Sequence, residues 1–200
     1  AMLHSMEGRH TEAVELCDQS IAALHGHGRS SAFIILKALR GRIILALGQL
    51  EEAVDALTDA IALSPSQFAI EPLLDLAQAY LRLGRFGEAK EARNRAATLG
   101  AGVRYAGLLS LTDARLAQVF GDLDLASEAC DRAIAQFEHS RRHYELGQAR
   151  CLRIALAQAM DDPATEQLQS LQTQELLMTL GLSSGSDLVK EFHALCPTTG

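Results

Sequence analysis

The sequence predicts an all-α fold of about four to five stacked helix-turn-helix repeats, followed by a short C-terminal helix. Hydrophobic residues make up 48% of the 200 residues, yet aromatic residues make up only 4% and Trp is absent. The apolar content is therefore mostly Ala and Leu, which are good helix formers. Pro occurs only four times, and a short pattern recurs every 36 to 40 residues, which is typical of a repeat architecture.

The recurring pattern is a Gly followed five residues later by an Ala and twelve residues later by another small residue. Successive glycines are 40, 36 and 37 residues apart, and a fifth, degenerate copy begins near Asp161. The Gly is predicted to end one helix, because Gly adopts the left-handed conformation that a helix stop commonly needs. The two small residues lie two turns apart on one helix face, where they allow a neighbouring helix to approach closely. The glycines are Gly8, Gly48, Gly84 and Gly121, and the small residues are Ala13, Ser20, Ala53, Ala60, Ala89, Ala96, Ala126 and Ala133.

The segment from Leu47 to Pro65 resembles the second half of a tetratricopeptide repeat (TPR) almost residue for residue. Pro65 matches the terminal proline of that family, and Gly41 matches the small residue inside its first helix. The resemblance implies a right-handed superhelical solenoid whose concave face binds a protein or peptide. The family period is 34 residues. The longer spacing here resembles the irregular TPR sensor regions of large bacterial regulators, such as the maltose-activator-like transcription factors.

The glycine register divides the chain into a solenoid over residues 1–182 and a tail over 183–200. The predicted units are residues 1–28, 31–67, 70–102, 105–140 and 143–181. Within them, Pro72 is expected in the first turn of its helix, a position that tolerates Pro. The tail is predicted to hold a flexible linker, a capping helix over Asp187–Leu195 with Ser186 as its N-cap, and a frayed end. That helix is expected to cover the exposed face of the last repeat.

Only seven residues precede Gly8, fewer than a stable isolated helix needs. The sequence therefore leaves two expectations open for its beginning. The chain is either an excised piece of a longer protein or starts with a short helix that suffices.

The resemblance places partner contacts on the inward stripe of the first helix of each unit. The stripe mixes aliphatic side chains with three arginines, which predicts a partner protein or peptide with apolar anchors and an acidic group. The alternative is that the arginines pair with Glu and Asp on adjacent turns while the leucines pack between helices. Transferred through the glycine register, the predicted positions are Ile35, Ala38, Arg42, Leu45, Leu74, Gln78, Leu81, Arg82, Leu108, Leu111, Arg115, Gln118, Gln148, Cys151, Ala155 and Gln158.

Charge and composition exclude several other functions. The net charge of -7 disfavours binding to nucleic-acid phosphates by this module. No apolar run reaches the roughly 18–20 residues that a membrane span needs. Four scattered cysteines and the absence of a signal-peptide pattern predict a reducing, cytoplasmic location. The pair His25 and His27 has no third ligand in view, and Arg141 and Arg142 between His139 and His143 oppose a cation. We therefore expect no metal, no cofactor and no catalytic residue.

Three functions are compatible with these observations. The favoured hypothesis is the sensing or interaction part of a larger cytoplasmic bacterial regulatory protein, with a signalling or transcription-regulating output. The alternative is a free-standing TPR adaptor or assembly chaperone, and a remote alternative is an enzyme on a helical repeat scaffold. The sequence leaves the partner, the parent protein and the oligomeric state open.

Overall fold

The computed structural model describes residues 1–24, 30–100 and 102–197, and every regular element within these ranges is an α-helix. The predicted all-α fold class is confirmed. The chain forms two compact units, Ala1–Ala101 and Gly102–Gly200. The helices of the described ranges are α1 (Met2–Met6), α2 (His10–Ala23), α3 (Ser31–Ala46), α4 (Leu50–Leu63), α5 (Ser66–Arg82), α6 (Phe86–Thr98), α7 (Val103–Val119), α8 (Leu123–Ser140), α9 (His143–Ala159), α10 (Pro163–Leu180) and α11 (Asp187–Leu195).

The first unit stacks α1 to α6 so that each helix packs against its neighbours in the chain. The helices α3 and α4 form one hairpin and α5 and α6 the next, and α3 also contacts α5. Cys17 and Ile43 join α2 to α3, while Leu57 and Leu76 join α4 to α5. The short helix α1 precedes Gly8 and packs on α2.

The second unit stacks α7 to α10 in the same order and adds α11, which packs against α9. One continuous apolar cluster runs through α7, α8, α9 and α10 and includes the fully buried Cys130 and Phe137. A separate cluster joins α9 to α11 through Cys151, Ile154, Leu188 and Phe192. The second unit therefore contains two apolar clusters. One packs the repeat helices together, and the other packs the C-terminal helix on α9.

The glycines of the repeat pattern adopt the predicted left-handed conformation at the turn between the two helices of a unit. Gly8, Gly48, Gly84 and Gly121 have φ angles of 80°, 81°, 73° and 78°. In the degenerate fifth copy Asp161 takes the same place with φ 55°. An L-residue is rarely stable in this region, so Gly is the residue that the turn favours.

The small residues of the pattern lie where helices approach most closely. All but one of these small residues are completely buried, at 0% exposure; they are Ala13, Ala53, Ala60, Ala89, Ala96, Ala126 and Ala133. The exception is Ser20, which is exposed and donates a hydrogen bond to the Leu16 carbonyl one turn earlier.

One helix boundary and one capping contact differ from the prediction. The helix α5 begins at Ser66, so Pro72 lies inside it and not in its first turn. Burial of Ala69 and Ile70 stabilises the additional turns, and this gain exceeds the loss of the one hydrogen bond that Pro cannot donate. Ser186 is the N-cap residue of α11 as predicted, but its side chain accepts no capping hydrogen bond.

The helix α11 also does not cover the outer face of α10. Three apolar side chains on that face remain exposed, Leu168 at 53%, Leu171 at 56% and Met178 at 71%. Instead α11 packs on α9. The helix α11 thus packs on the last repeat through α9 and leaves these side chains of α10 exposed.

Close packing at Gly41 gives the first prediction. A Cβ atom at Gly41 would lie 2.8 Å from both Cγ and Cδ2 of Leu57, which is fully buried. We expect Gly41→Ala to lower the free energy of unfolding by about 1–3 kcal/mol, because overpacking outweighs the gain in helix propensity. Urea denaturation followed by circular dichroism measures the change.

Gly87 provides the matched control, because it also lies in a helix but nothing stands within 4 Å of an added Cβ. Gly87→Ala should leave stability unchanged or raise it by up to about 1 kcal/mol. If both variants shift the urea midpoint in the same direction and by the same amount, the close approach of Leu57 to Gly41 does not determine the stability.

Candidate functional site

The predicted positions on α3 and α5 form what we call the α3/α5 face. Ile35 is exposed at 51% of its surface, and Ala38, Gln78 and Leu81 are half-buried. Leu45 and Leu74 lie in the core at 4% and 5% exposure. Leu45 and Leu74 therefore offer little surface to a partner in this structure, because both side chains lie in the core.

Arg42 on this face is held by two carboxylates of α5. Its Nε donates to Asp75 Oδ2 at 2.8 Å, and its Nη2 donates to Glu71 Oε2 at 2.9 Å. The Asp75 charge first, and then Glu71, raise the pKa of the guanidinium against the opposing effect of burial. This is the arrangement that the alternative interpretation of the arginines described. With one positive and two negative charges, the cluster offers little attraction to an acidic partner.

Arg82 is likewise used within the unit. Its Nη1 donates a 2.7 Å hydrogen bond to the Leu45 carbonyl in the last turn of α3. A cation at the C-terminal end of a helix is favourable, because the last carbonyls lack partners and the helix dipole is negative there. Arg82 thereby joins α5 to the end of α3.

The predicted positions on α7 and α9 form the α7/α9 face. Leu108, Arg115, Gln118, Gln148 and Ala155 are half-buried on it, and Gln158 is exposed. Leu111 and Cys151 are buried at 2% and 0% exposure. Leu111 belongs to the core cluster between helices, whereas Cys151 belongs to the cluster that α11 covers. Neither offers surface to a partner in this state, for these two different reasons.

The C-terminal helix covers part of α9, including Cys151 of the α7/α9 face. Leu188 and Phe192 of α11 pack on Cys151 and Ile154. A Cβ at Gly147 would lie 2.5 Å from Leu188 Cδ2, so a larger residue there would displace this side chain. Docking of α11 on α9 was not predicted from the sequence, although the i, i+4 spacing of Leu188 and Phe192 marks one apolar side of a helix.

The buried thiols are poor nucleophiles. Burial raises the pKa of the Cys130 thiol to about 12. Burial also raises the pKa values of Cys17 and Cys151. The thiolate is the reactive form. Cys130 in addition donates to the Ala149 carbonyl at 3.1 Å. Cys17 and Cys130 lie at the same position of their repeats, nine residues after the turn glycine, and both are core residues.

Other chemistry has little support within the described residues. Across residues 1–24, 30–100 and 102–197 there is no group of three or more His, Cys, Asp or Glu side chains that could hold a metal ion. His25 and His27 lie outside the described residues. In the same part of the chain no helix is long and apolar enough to cross a membrane.

Comparison with known families agrees with this helical architecture. Residues 45–112 match a tetratricopeptide repeat model. The match covers the helix pair around Pro65 on which the sequence resemblance depends, and it covers about a third of the chain. No curated protein matches the sequence significantly.

Solved structures share the fold over nearly the whole chain. TPR-like repeats of a protein described as a kinesin light chain from Podosopora anserina superpose with a TM-score of 0.54 at 20% identity, covering 91% of this chain and 93% of that one. A variant of those repeats gives 0.56 at 19% identity, covering 90% and 92%. BtubC (BKLC) from P. vanneervenii gives 0.61 at 13% identity, covering 98% and 84%. At these identities the likeness establishes the fold alone.

The pairing of Arg42 gives the second prediction. We expect Arg42→Glu to destabilise the first unit by about 1–2 kcal/mol, between the values for exposed and buried pairs, because it places a third carboxylate beside Glu71 and Asp75. Thermal unfolding measures the effect. Adding Glu71→Gln and Asp75→Asn should recover most of the loss. No recovery would mean that the lost packing of the arginine stem, and not charge, causes the change.

Proposed function

We propose that the chain is a non-catalytic binding scaffold that holds a partner protein or peptide on the faces of its first helices. Helical repeats of the TPR type are typical of protein-protein interaction, because their stacked first helices expose a long continuous surface. The repeat itself satisfies the backbone hydrogen bonds and buries the core side chains. The side chains that these helices expose are therefore available for recognition.

Exposed Ile35 is the observation on which this proposal rests. It is a β-branched aliphatic residue in the interior of α3, and half of its surface faces solvent. Half-buried Ala38 lies one turn further along the same helix face. The neighbouring charge of Arg42 is neutralised by α5. The α3/α5 face therefore supports an apolar anchor of the partner more than its acidic group.

Substitution of Ile35 gives the third prediction. We expect Ile35→Asp to weaken capture of the partner at least about tenfold, because a hot-spot apolar contact contributes roughly 2 kcal/mol or more. The measurement is binding of partners captured from native-host extract or selected from a library of helical peptides. Circular dichroism should be unchanged, since the residue is exposed.

Leu125→Asp is the matched control. Leu125 is exposed at 49%, close to the 51% of Ile35, but lies in the first turn of α8, a second helix of its unit. Capture should be unaffected by this variant. Equal loss with both variants, or with neither, would reject the α3/α5 face as the binding surface.

We further propose that the scaffold is the sensing part of a larger cytoplasmic bacterial regulator. The irregular repeat lengths support this context, since the glycines stand 40, 36 and 37 residues apart. The test is the complete reading frame of the gene, which should extend into a DNA-binding or nucleotide-binding domain. A frame that encodes only this chain would favour the adaptor or assembly chaperone instead.

A further inference from the structure

The helix α11 is too short to be stable by itself. It has nine residues, fewer than the roughly 12–15 at which isolated helices become even marginally stable in water. Its apolar side consists of Leu188, Val189 and Phe192, exposed at only 1%, 8% and 7%, whereas Lys190 and Glu191 face outward. Its helical form therefore depends on the surface that receives it, as for a short peptide bound to a protein.

The surface that receives α11 includes a space above Gly147 that the helices of the last hairpin leave open. Gly107 and Gly147 occupy the same register, each 14 residues before the left-handed turn residue of its unit. In the earlier unit Phe137 of α8 packs directly on Gly107, where an added Cβ would lie 2.6 Å from its ring. The corresponding residue of α10 is the shorter Leu177. Leu188 of α11 fills the space above Gly147 instead.

Polar contacts hold the C-terminal end of α11. Gln158 Nε2 donates to the Leu195 carbonyl at 3.0 Å, and Ser170 Oγ lies 3.1 Å from Cys196 Sγ. These contacts come from α9 and α10, the two helices of the last hairpin.

The position of α11 is not explained by a need to cover the end of the helix stack. The outer face of α10 remains exposed at Leu168, Leu171 and Met178, so α11 leaves uncovered the surface on which a further repeat would pack. Instead, α11 covers Cys151, and its end accepts a hydrogen bond from Gln158. Both residues are among the positions predicted for partner binding.

We propose that α11 is a tethered competitor for the part of the α7/α9 face that it covers, and that this surface binds an amphipathic helix of a partner with two apolar anchors spaced i, i+4. This inference rests on the proposed scaffold function and specifies the partner of its second unit. The partner helix replaces Leu188 above Gly147 and Phe192 on Ile154, so α11 must leave before it binds.

The test uses the full chain and a synthetic peptide of residues 183–197 as the probe. In the wild-type chain the tethered α11 is present at an effective concentration near millimolar, so it competes strongly with added peptide. We expect the double variant Leu188→Asp, Phe192→Asp to bind the peptide at least about tenfold more tightly than the wild-type chain does. The same peptide carrying Asp in place of both anchors should bind neither chain.

Cys151 provides an independent measure of the same event. Its alkylation should be slow in the wild-type chain, accelerate at least about tenfold in the double variant, and slow again when the peptide is added. Cys130 is the internal control, because it is buried between α8 and α9 and does not contact α11. If Cys130 also becomes reactive in the double variant, the single variant Phe192→Ala replaces it. The alkylation rates of Cys151 and Cys130 are then compared in the same way.

Two results would overturn the inference. Equal peptide affinity for both chains would mean that α11 does not compete for the site. No binding to a variant with reactive Cys151 would mean that the face holds α11 only because of its tether. Neither result depends on Ile35, which lies in the first unit. The Ile35→Asp variant therefore tests the proposed scaffold function independently.

Discussion

Close approach of helices at residues with little or no side chain is the constraint on which this structure depends. Leu57 packs on Gly41, Phe137 on Gly107 and Leu188 on Gly147, each against a helix backbone that a single methyl group would push away. The buried alanines of the repeat pattern serve the same purpose between the remaining helices. Small residues bring helix axes near enough for larger side chains to interdigitate in a chain that has no Trp and few aromatics.

Charge in the first unit is arranged to join helices. Arg42 links α3 to two carboxylates of α5, and Arg82 binds the end of α3. A similar role falls to Arg40, which pairs with Asp18 of α2. Partly exposed pairs of this kind contribute little free energy singly, but they specify how one hairpin sits on the next. What remains for a partner on the α3/α5 face is apolar surface, with Ile35 as its most exposed member.

The two units thus present their first helices differently. The α3/α5 face is open at Ile35, whereas the α7/α9 face carries α11. A short helix whose fold depends on its docking surface is bound with low net stability, because ordering it offsets much of the gain from apolar burial.

The sequence by itself determined the helices, their turns and the positions of close packing. These features depend on local chemistry: Gly at a left-handed turn, Ala where two helices meet, and apolar periodicity along each helix. Only the tertiary structure decided which members of the predicted stripe are exposed. Leu45, Leu74 and Leu111 are buried because a rotation of one position on a helix turns a surface residue into an interface residue. The pairing of Arg42 with Glu71 and the docking of α11 over Gly147 join residues 29 and 41 positions apart. Contacts over such separations depend on how hairpins stack, and the local sequence does not determine this stacking.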